Sequence, residues 1–260
     1  MTDAASTRRH VDLPQPRHGW DHPWPNVFEL AGVLPTSKWT LVGGLMVQAH
    51  AMAHGIEAIR PTTDLDVLLH IEIDPAVVSE AHDALAGLGY ELQPPFDRKG
   101  PHYLYERGEE KADVMSADHA APTVRRTLRG RPMFAVEGGT QALLRTLIYD
   151  VQTSSGRYAL SVPDELGALV LKGAAHTVDA RDAERHLSDA AVLAACIADP
   201  VGERRRLGGS DRKRLGHLAG ELTDPRHGAW LALQEPRRTA GMDALRILVA
   251  EPHRTHHRFA

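Results

Sequence analysis

Only one cysteine occurs in the 260 residues, Cys196 within the apolar run AAVLAACIA. A disulfide framework and a cysteine-built metal site are thereby excluded, and the residue reads as a small buried hydrophobe. Long apolar runs are missing as well. No stretch approaches the roughly 20 residues needed to cross a bilayer, and the opening MTDAASTRRHVDLPQPRHGW has no apolar core of the signal-peptide kind. The expectation is a soluble, cytoplasmic protein with no membrane partner. Aromatic residues are scarce at 5%, and only five of the 30 basic residues are lysine. Lys172, set in ALVLKGAAH, therefore stands out.

What is present is enough apolar material for a substantial core: 42% of residues are hydrophobic, in one large domain or two ordinary ones. The net charge of -4 hides an asymmetry, because residues 200 to 260 carry 12 Lys and Arg against 7 Asp and Glu. The runs ERRRLGG (203 to 209) and DRKRLGH (211 to 217) suit either a polyanion such as RNA or a solvated helix face. Arg125, Arg126, Arg129 and Arg131 form a second basic cluster open to the same two readings.

Period and punctuation organise the chain. Residues 1 to 25, with four prolines after residue 13, read as an irregular lead-in pinned by Trp20 and Trp24. From 26 to 138 a helix at NVFELAGVL, a strand at KWTLVGG and a helix at LMVQAHAMAHG follow, the last stopped by Gly55. A strand DLDVLLHIEI, a helix PAVVSEAHDALAGLGY and a hairpin of HYLYER with KADVMSAD around the turn GEE come next. Residues 139 to 260 read as mainly helical, notably PDELGALVLKGAAH and DAERHLSDAAVLAACIA. The expected class is α/β in the α+β sense: a mixed sheet flanked by helices, then a helical C-terminal domain.

Asp64 and Asp66 carry the chemistry. Side chains at i and i+2 of a strand share a face, so the two carboxylates project together while Leu65 and Val67 point away. Two adjacent carboxylates repel, and a divalent cation or strong donors would keep them ionised. Mg2+ meets that need through oxygen ligands. An isolated D-x-D is commonly a polar turn entering a strand, but this one has company. Gly43 and Gly44 lie upstream between a strand and a helix, where small residues let a phosphate reach backbone N–H groups. Downstream, Asp113 sits between Ala112 and Val114 on a neighbouring strand. His50 and His54, four apart, have Zn2+-compatible spacing, but no third ligand accompanies them, and His54 before Gly55 suits a helix C-terminus.

In order, the Gly-Gly, the D-x-D and the third acid resemble the nucleotidyltransferases of the polymerase-β-like superfamily. LVGGLMVQAHAMAHG and RPTTDLDVLL, with Arg60, Thr62, Asp64 and Asp66, resemble in particular the AbiEii-type or MenT-like toxin branch. Lys172, and Arg185 with Asp189, look like its C-terminal signatures. The resemblance covers roughly residues 38 to 195. It implies a nucleotidyltransferase fold and transfer of a nucleoside monophosphate from ATP, GTP or CTP to an acceptor hydroxyl, with release of pyrophosphate. It further implies Mg2+ or Mn2+ on Asp64, Asp66 and Asp113, with Asp113 as general base or metal ligand. Gly43, Gly44, Arg60, Thr62, Lys172, Arg185 and Asp189 would contact nucleotide, Arg60 pinning an aspartate or touching phosphate. RNA, particularly the acceptor end of tRNA, is the implied acceptor, and an antitoxin protein the implied partner. A small hydroxylated molecule or a protein is the alternative acceptor, and a catalytically silent nucleotide- or partner-binding module the alternative of another class.

Overall fold

The first strand arises where the sequence suggested irregular chain. In this computed structural model, which describes residues 8–57, 60–95, 97, 100–119, 127–179 and 182–251, His10–Leu13 forms β1. It pairs in parallel with a strand far along the chain, His10 opposite Ile148 and Leu13 opposite Val151. Four residues beside prolines carry too little periodicity to announce a strand, and the partner supplies the missing stabilisation. Trp20 and Trp24 do pin this segment: the Trp20 indole donates to the Gln152 carbonyl at 3.3 Å and the Trp24 indole to Gln48 Oε1 at 3.0 Å.

The chain continues through α1 (Trp24–Val33), β2 (Trp39–Leu41), α2 (Gly43–Ala53), β3 (Asp64–Leu69) and α3 (Val77–Gly87). The strands β4 (Glu91–Leu92), β5 (Leu104–Arg107) and β6 (Glu110–Ala117) follow, then the short β7 (Thr127–Leu128), β8 (Arg131–Pro132) and β9 (Ala135–Val136). The central sheet runs β2-β3-β6-β5-β4, with β9 added to β6. β3 and β6 are parallel, whereas β2 on β3, β5 on β6 and β4 on β5 are antiparallel. The β5–β6 hairpin around Gly108 turns where expected, Arg107 opposite Glu110.

Beyond α4 (Gly139–Leu143), the sequence suggested helices, but β10 (Thr146–Thr153) and β11 (Gly156–Pro163) form an antiparallel hairpin. With β1 it makes a three-stranded sheet. The physical reason is visible in retrospect: Leu147, Tyr149 and Val151 alternate as buried residues at period two. β11 is tied to β2 by a Thr40–Ser161 hydroxyl bond of 2.9 Å. The remainder is helical: α5 (Glu165–Val178), α6 (Ala183–Cys196), α7 (Pro200–Arg205), α8 (Asp211–Glu221), α9 (Gly228–Leu231) and α10 (Arg237–Val249). α5 starts where the Asp164 carboxylate accepts the Gly167 N–H at 2.8 Å, and α7 starts at Pro200 after the same device on Asp199.

The class is α+β, with mixed parallel and antiparallel strands. One apolar core runs through both sheets and the helices, from Trp39 and Leu65 to Leu193 and Leu248. Cys196 lies buried within it, and burial pushes its thiol far above the ordinary range. No helix among the described residues is long and apolar enough to cross a membrane.

Candidate active site

β3 buries Leu65, Val67, Leu68 and Leu69 and leaves Asp64 and Asp66 half-buried. The register of β3 on β6 sets Asp66 directly opposite Asp113, and Asp64 opposite Lys111. Register partners in adjacent strands project to the same face. All three acids therefore share one side of the central parallel pair. None of them takes part in an ion pair among the described residues; Asp64 Oδ1 accepts only the Thr63 hydroxyl, at 3.0 Å.

Burial and mutual repulsion set their electrostatics. Asp113 is pushed up to about 7, first by burial and then by Asp66 and Asp64, with Lys111 and Arg185 opposing. Asp66 is raised too, chiefly by burial and further by Asp64, while Lys172, Arg185 and a hydrogen bond from the Gly44 N–H pull the other way. Lys111 escaped the sequence reading. The signal for it was the same alternation: it stands two residues before Asp113, hence on the carboxylate face.

The glycine pair is explained by proximity. Gly43 opens α2 with φ +66°, and a β-carbon built on it would stand 2.7 Å from the Asp66 Cβ and closer still to the carboxylate. A β-carbon on Gly44 would stand 2.6 Å from the Thr62 Oγ1. Only glycine lets the N-terminus of α2 close onto the acids; the cap residue Val42 makes no side-chain bond there, and the Gly44 N–H donates to the Asp66 carboxylate. A backbone bond from the Val42 N–H to the Asp66 carbonyl, 2.9 Å, fixes this approach.

The helical half closes the other side. Lys172 on α5 is 6% exposed, and its Nζ lies 2.7 Å from Asp189 Oδ2 on α6. Arg60 Nε reaches Asp189 Oδ1 at 3.4 Å. Asp189 thus holds two cations beside the α2 N-terminus and is itself buried, a holder rather than a free acceptor. Arg185 is bonded to Asp179 at 2.8 Å and lies near Asp182, yet its charge is felt at both Asp66 and Asp113. His186 follows it, its imidazole held down to about 4 by burial and then by Lys172 and Arg185. Between α2 and α6 opens a cleft of about 280 Å3, whose walls include Gly44, Val47, Arg60, Ser188, Asp189 and Val192.

Other candidates lie elsewhere. His50 offers no free nitrogen to a metal: its Nε2 lies 2.9 Å from the Pro163 carbonyl, and its Nδ1 is 2.9 Å from the Tyr149 hydroxyl. His54 ends α2, as expected, and faces Glu165 Oε1 at 3.1 Å. Burial would raise the Glu165 carboxyl, but bonds from His54 and Arg9 and the charge of His50 bring it well below the usual range. In the C-terminal basic runs two of the six cations are held in ion pairs. Arg206 pairs with Asp164 and Glu203, and Arg214, only 7% exposed, lies 3.4 Å from Glu137 and 3.8 Å from Asp118. Arg205, Arg212 and Lys213 remain exposed. In the second basic cluster Arg129 donates to His82 at 3.2 Å, while Arg125 and Arg126 fall outside the described residues.

No group of three or more His, Cys, Asp or Glu side chains among the described residues is drawn together as a ready-made metal cage. No protein-family model matches the chain, and neither a curated protein nor a solved structure matches it.

Proposed function

We propose that the protein is a metal-dependent nucleotidyltransferase that moves a nucleoside monophosphate from an NTP to an acceptor hydroxyl. The observation that carries this reading is the Asp66–Asp113 register on one sheet face, with Asp64 beside them and the glycine-built N-terminus of α2 closed onto Asp66. The nucleotidyltransferase fold and the resemblance in RPTTDLDVLL belong to the same proposal.

The donor set suits a hard divalent cation: it is all carboxylate oxygen, like-charged, and without ion-pair partners among the described residues. Magnesium sites of this kind use one or two carboxylates and complete the shell with water and substrate phosphate, so no closed protein cage is required. Asp64 and Asp66, joined by Asp113, would hold Mg2+ or Mn2+. A metal bound there supplies charge neutralisation at the phosphates undergoing displacement.

The chain's own groups do the rest. The Gly43 and Gly44 amides at the α2 N-terminus orient the triphosphate, as helix N-termini do for anions. Lys172 and Arg60, tethered by Asp189, and Arg185 on the neighbouring turn balance its charge, and Thr62 props the glycine turn. Asp113, where it is not a metal ligand, accepts the proton of the acceptor hydroxyl. The acceptor oxygen bonds to the α-phosphorus, the bond from that phosphorus to the β-bridging oxygen breaks, and pyrophosphate leaves. The 280 Å3 cleft beside Gly44 has room for the nucleoside.

For the acceptor, the resemblance points to RNA, particularly the acceptor end of tRNA, with the protein acting as a toxin held in check by an antitoxin. One observation favours a second reading, a small hydroxylated molecule or a protein: the basic runs commit Arg206 and Arg214 to ion pairs, so that Arg205, Arg212 and Lys213 are left for a polyanion. The experiment is incubation with each α-labelled NTP and Mg2+ in the presence of total RNA, total protein or aminoglycosides. Label in one acceptor class supports the reading and chooses the acceptor. NTP binding without transfer to any class would indicate a silent binding module, and neither binding nor transfer would overturn the reading.

A further inference from the structure

The carboxyl ends of β3 and β6 point away from the acids, and beyond them lies a second, larger cleft of about 590 Å3. It begins at Leu69, about 10 Å of strand beyond Asp66, and shares no lining residue with the cleft at Gly44. Its volume suits a small molecule. Its place, outside the carboxyl ends of a parallel strand pair, is where open sheets with helices commonly bind ligands.

Two kinds of surface meet in it. Leu69, Ile71 and Ala117 are buried in its wall, while Ile73 and Leu144 stand 81% and 74% exposed on it. Side chains of that size at such exposure, flanking a concavity, have apolar area to bury. The cleft is also lined by four arginines, Arg8, Arg9, Arg145 and Arg206, against the carboxylates Glu72 and Asp164.

Three of these guanidinium groups are fixed by carboxylates outside the lining. Arg9 Nη2 donates to both Glu165 oxygens, Arg145 Nη2 to Asp211 Oδ2 at 2.6 Å, and Arg206 Nη1 to Glu203, while Arg206 Nη2 is bonded to Asp164 within the lining. These pairs reduce net charge but leave N–H donors in set directions; the buried Arg145 Nη1 has no hydrogen-bond partner. A guanidinium carries five N–H donors in a rigid fork matched to carboxylate and phosphate oxygens. Recognition here therefore works by directed donors beside an apolar wall rather than by long-range field.

We propose that this cleft binds a small amphiphilic anion, a carboxylate or phosphate head on an apolar body, with the head on the arginines and the body against Ile73 and Leu144. A bare anion would leave the apolar wall wet, and a neutral apolar molecule would leave the donors unused. The site is independent of the proposed transferase reaction.

Titration calorimetry on the full chain tests it with octyl phosphate and octanoate, against inorganic phosphate and octanol. Both amphiphiles, or one of them, should bind at least about tenfold more tightly than either control, the preferred head distinguishing phosphate from carboxylate. Leu144→Asp and Arg9→Ser alter exposed side chains, so the fold should persist, as checked by an unchanged circular dichroism spectrum, Arg9→Ser unfolding at a lower temperature because it removes a partner of Glu165. Each should weaken amphiphile binding by about tenfold, the loss of one buried apolar or charged contact. Asp66→Asn should leave that binding as it is. Equal binding of inorganic phosphate or of octanol, binding unaltered by both cleft variants, or no binding of either amphiphile would overturn the proposal.

Discussion

Charge is handled in opposite ways at two places in this molecule. On the central sheet, Asp64, Asp66 and Asp113 crowd one face without an ion pair among the described residues, and Asp113 is pushed up to about 7, first by burial and then by the other two acids. Around α7 and α8, Arg145 is matched to Asp211, Arg206 to Asp164, and Arg214 to Glu137 and Asp118. Like charges held together lower stability unless something arrives to compensate them, so their persistence points to a ligand. Opposite charges already paired indoors point to architecture. The sequence left the arginine runs open between a polyanion surface and a solvated face, and two of their side chains, Arg206 and Arg214, are instead paired with carboxylates.

The sharpest way to break this contrast is to remove one charge from each side. Asp66→Ala is expected to abolish labelled transfer, by at least about a thousandfold or roughly 4 kcal/mol of barrier, while thermal unfolding stays equal to the parent or rises slightly, because repulsion is relieved. Full activity in that variant would sink the site assignment. Arg214→Ala should show the reverse profile. Removing the buried Arg214 guanidinium takes away its 3.4 Å contact with the half-exposed Glu137 and its 3.8 Å contact with Asp118, and should cost about 1 to 2 kcal/mol of stability. Chemical denaturation is the measurement, and a change under about 0.5 kcal/mol, as at ordinary surface positions, would show that the pairing is not structural.

A titration sharpens the comparison. His186 is held down to about 4 in the folded protein against an unfolded value near 6.5. The unfolded chain therefore binds the extra proton between those values. The stabilising contribution is complete above about pH 6.5 and is lost as pH falls towards 4, up to about 3 kcal/mol. Denaturation midpoints between pH 7 and 4 should drop, and His186→Gln should remove that share of the slope. An identical slope in the variant would mean that other groups dominate the acid response.

The smallest effect belongs to the exposed cations. Replacing Arg205, Arg212 and Lys213 by serine should change stability by less than about 0.5 kcal/mol. If they hold RNA, the salt dependence of binding should flatten by about one unit of slope per lost contact. An unaltered slope would assign them to a solvated face and favour the small-acceptor reading.

Much of the local order was legible. The alternation in DLDVLL put Asp64 and Asp66 on one face, the glycine pair marked the entry to α2, and GEE marked the turn between β5 and β6. Legibility failed where an element depends on a distant partner. β1 is stable because it lies against Ile148 to Val151, and its own four residues carry no sufficient pattern. The β10–β11 hairpin was overshadowed by the helical sequence that follows it. Lys111 was passed over because its significance is conferred by Asp64 across the sheet, and the exposed look of Arg214 in DRKRLGH vanished once α8 turned that side chain towards Asp118 and Glu137.

The sequence by itself determined which side chains share a face within each strand or helix, because backbone period is a local property and β-branched, small and charged residues express it within a few positions. It also placed the two glycines between a strand and a helix, where Gly43 takes the positive φ that lets it lie against the Asp66 carboxylate. Only the tertiary structure decided that Asp113 stands opposite Asp66 rather than one residue away, that Asp189 ties Lys172 to Arg60, and that Arg214 turns inward. Those choices join segments separated by tens of residues, and strand register and ion pairing are set by the packing of the whole chain, where a one-residue slip would turn every acid on β6 to the other face.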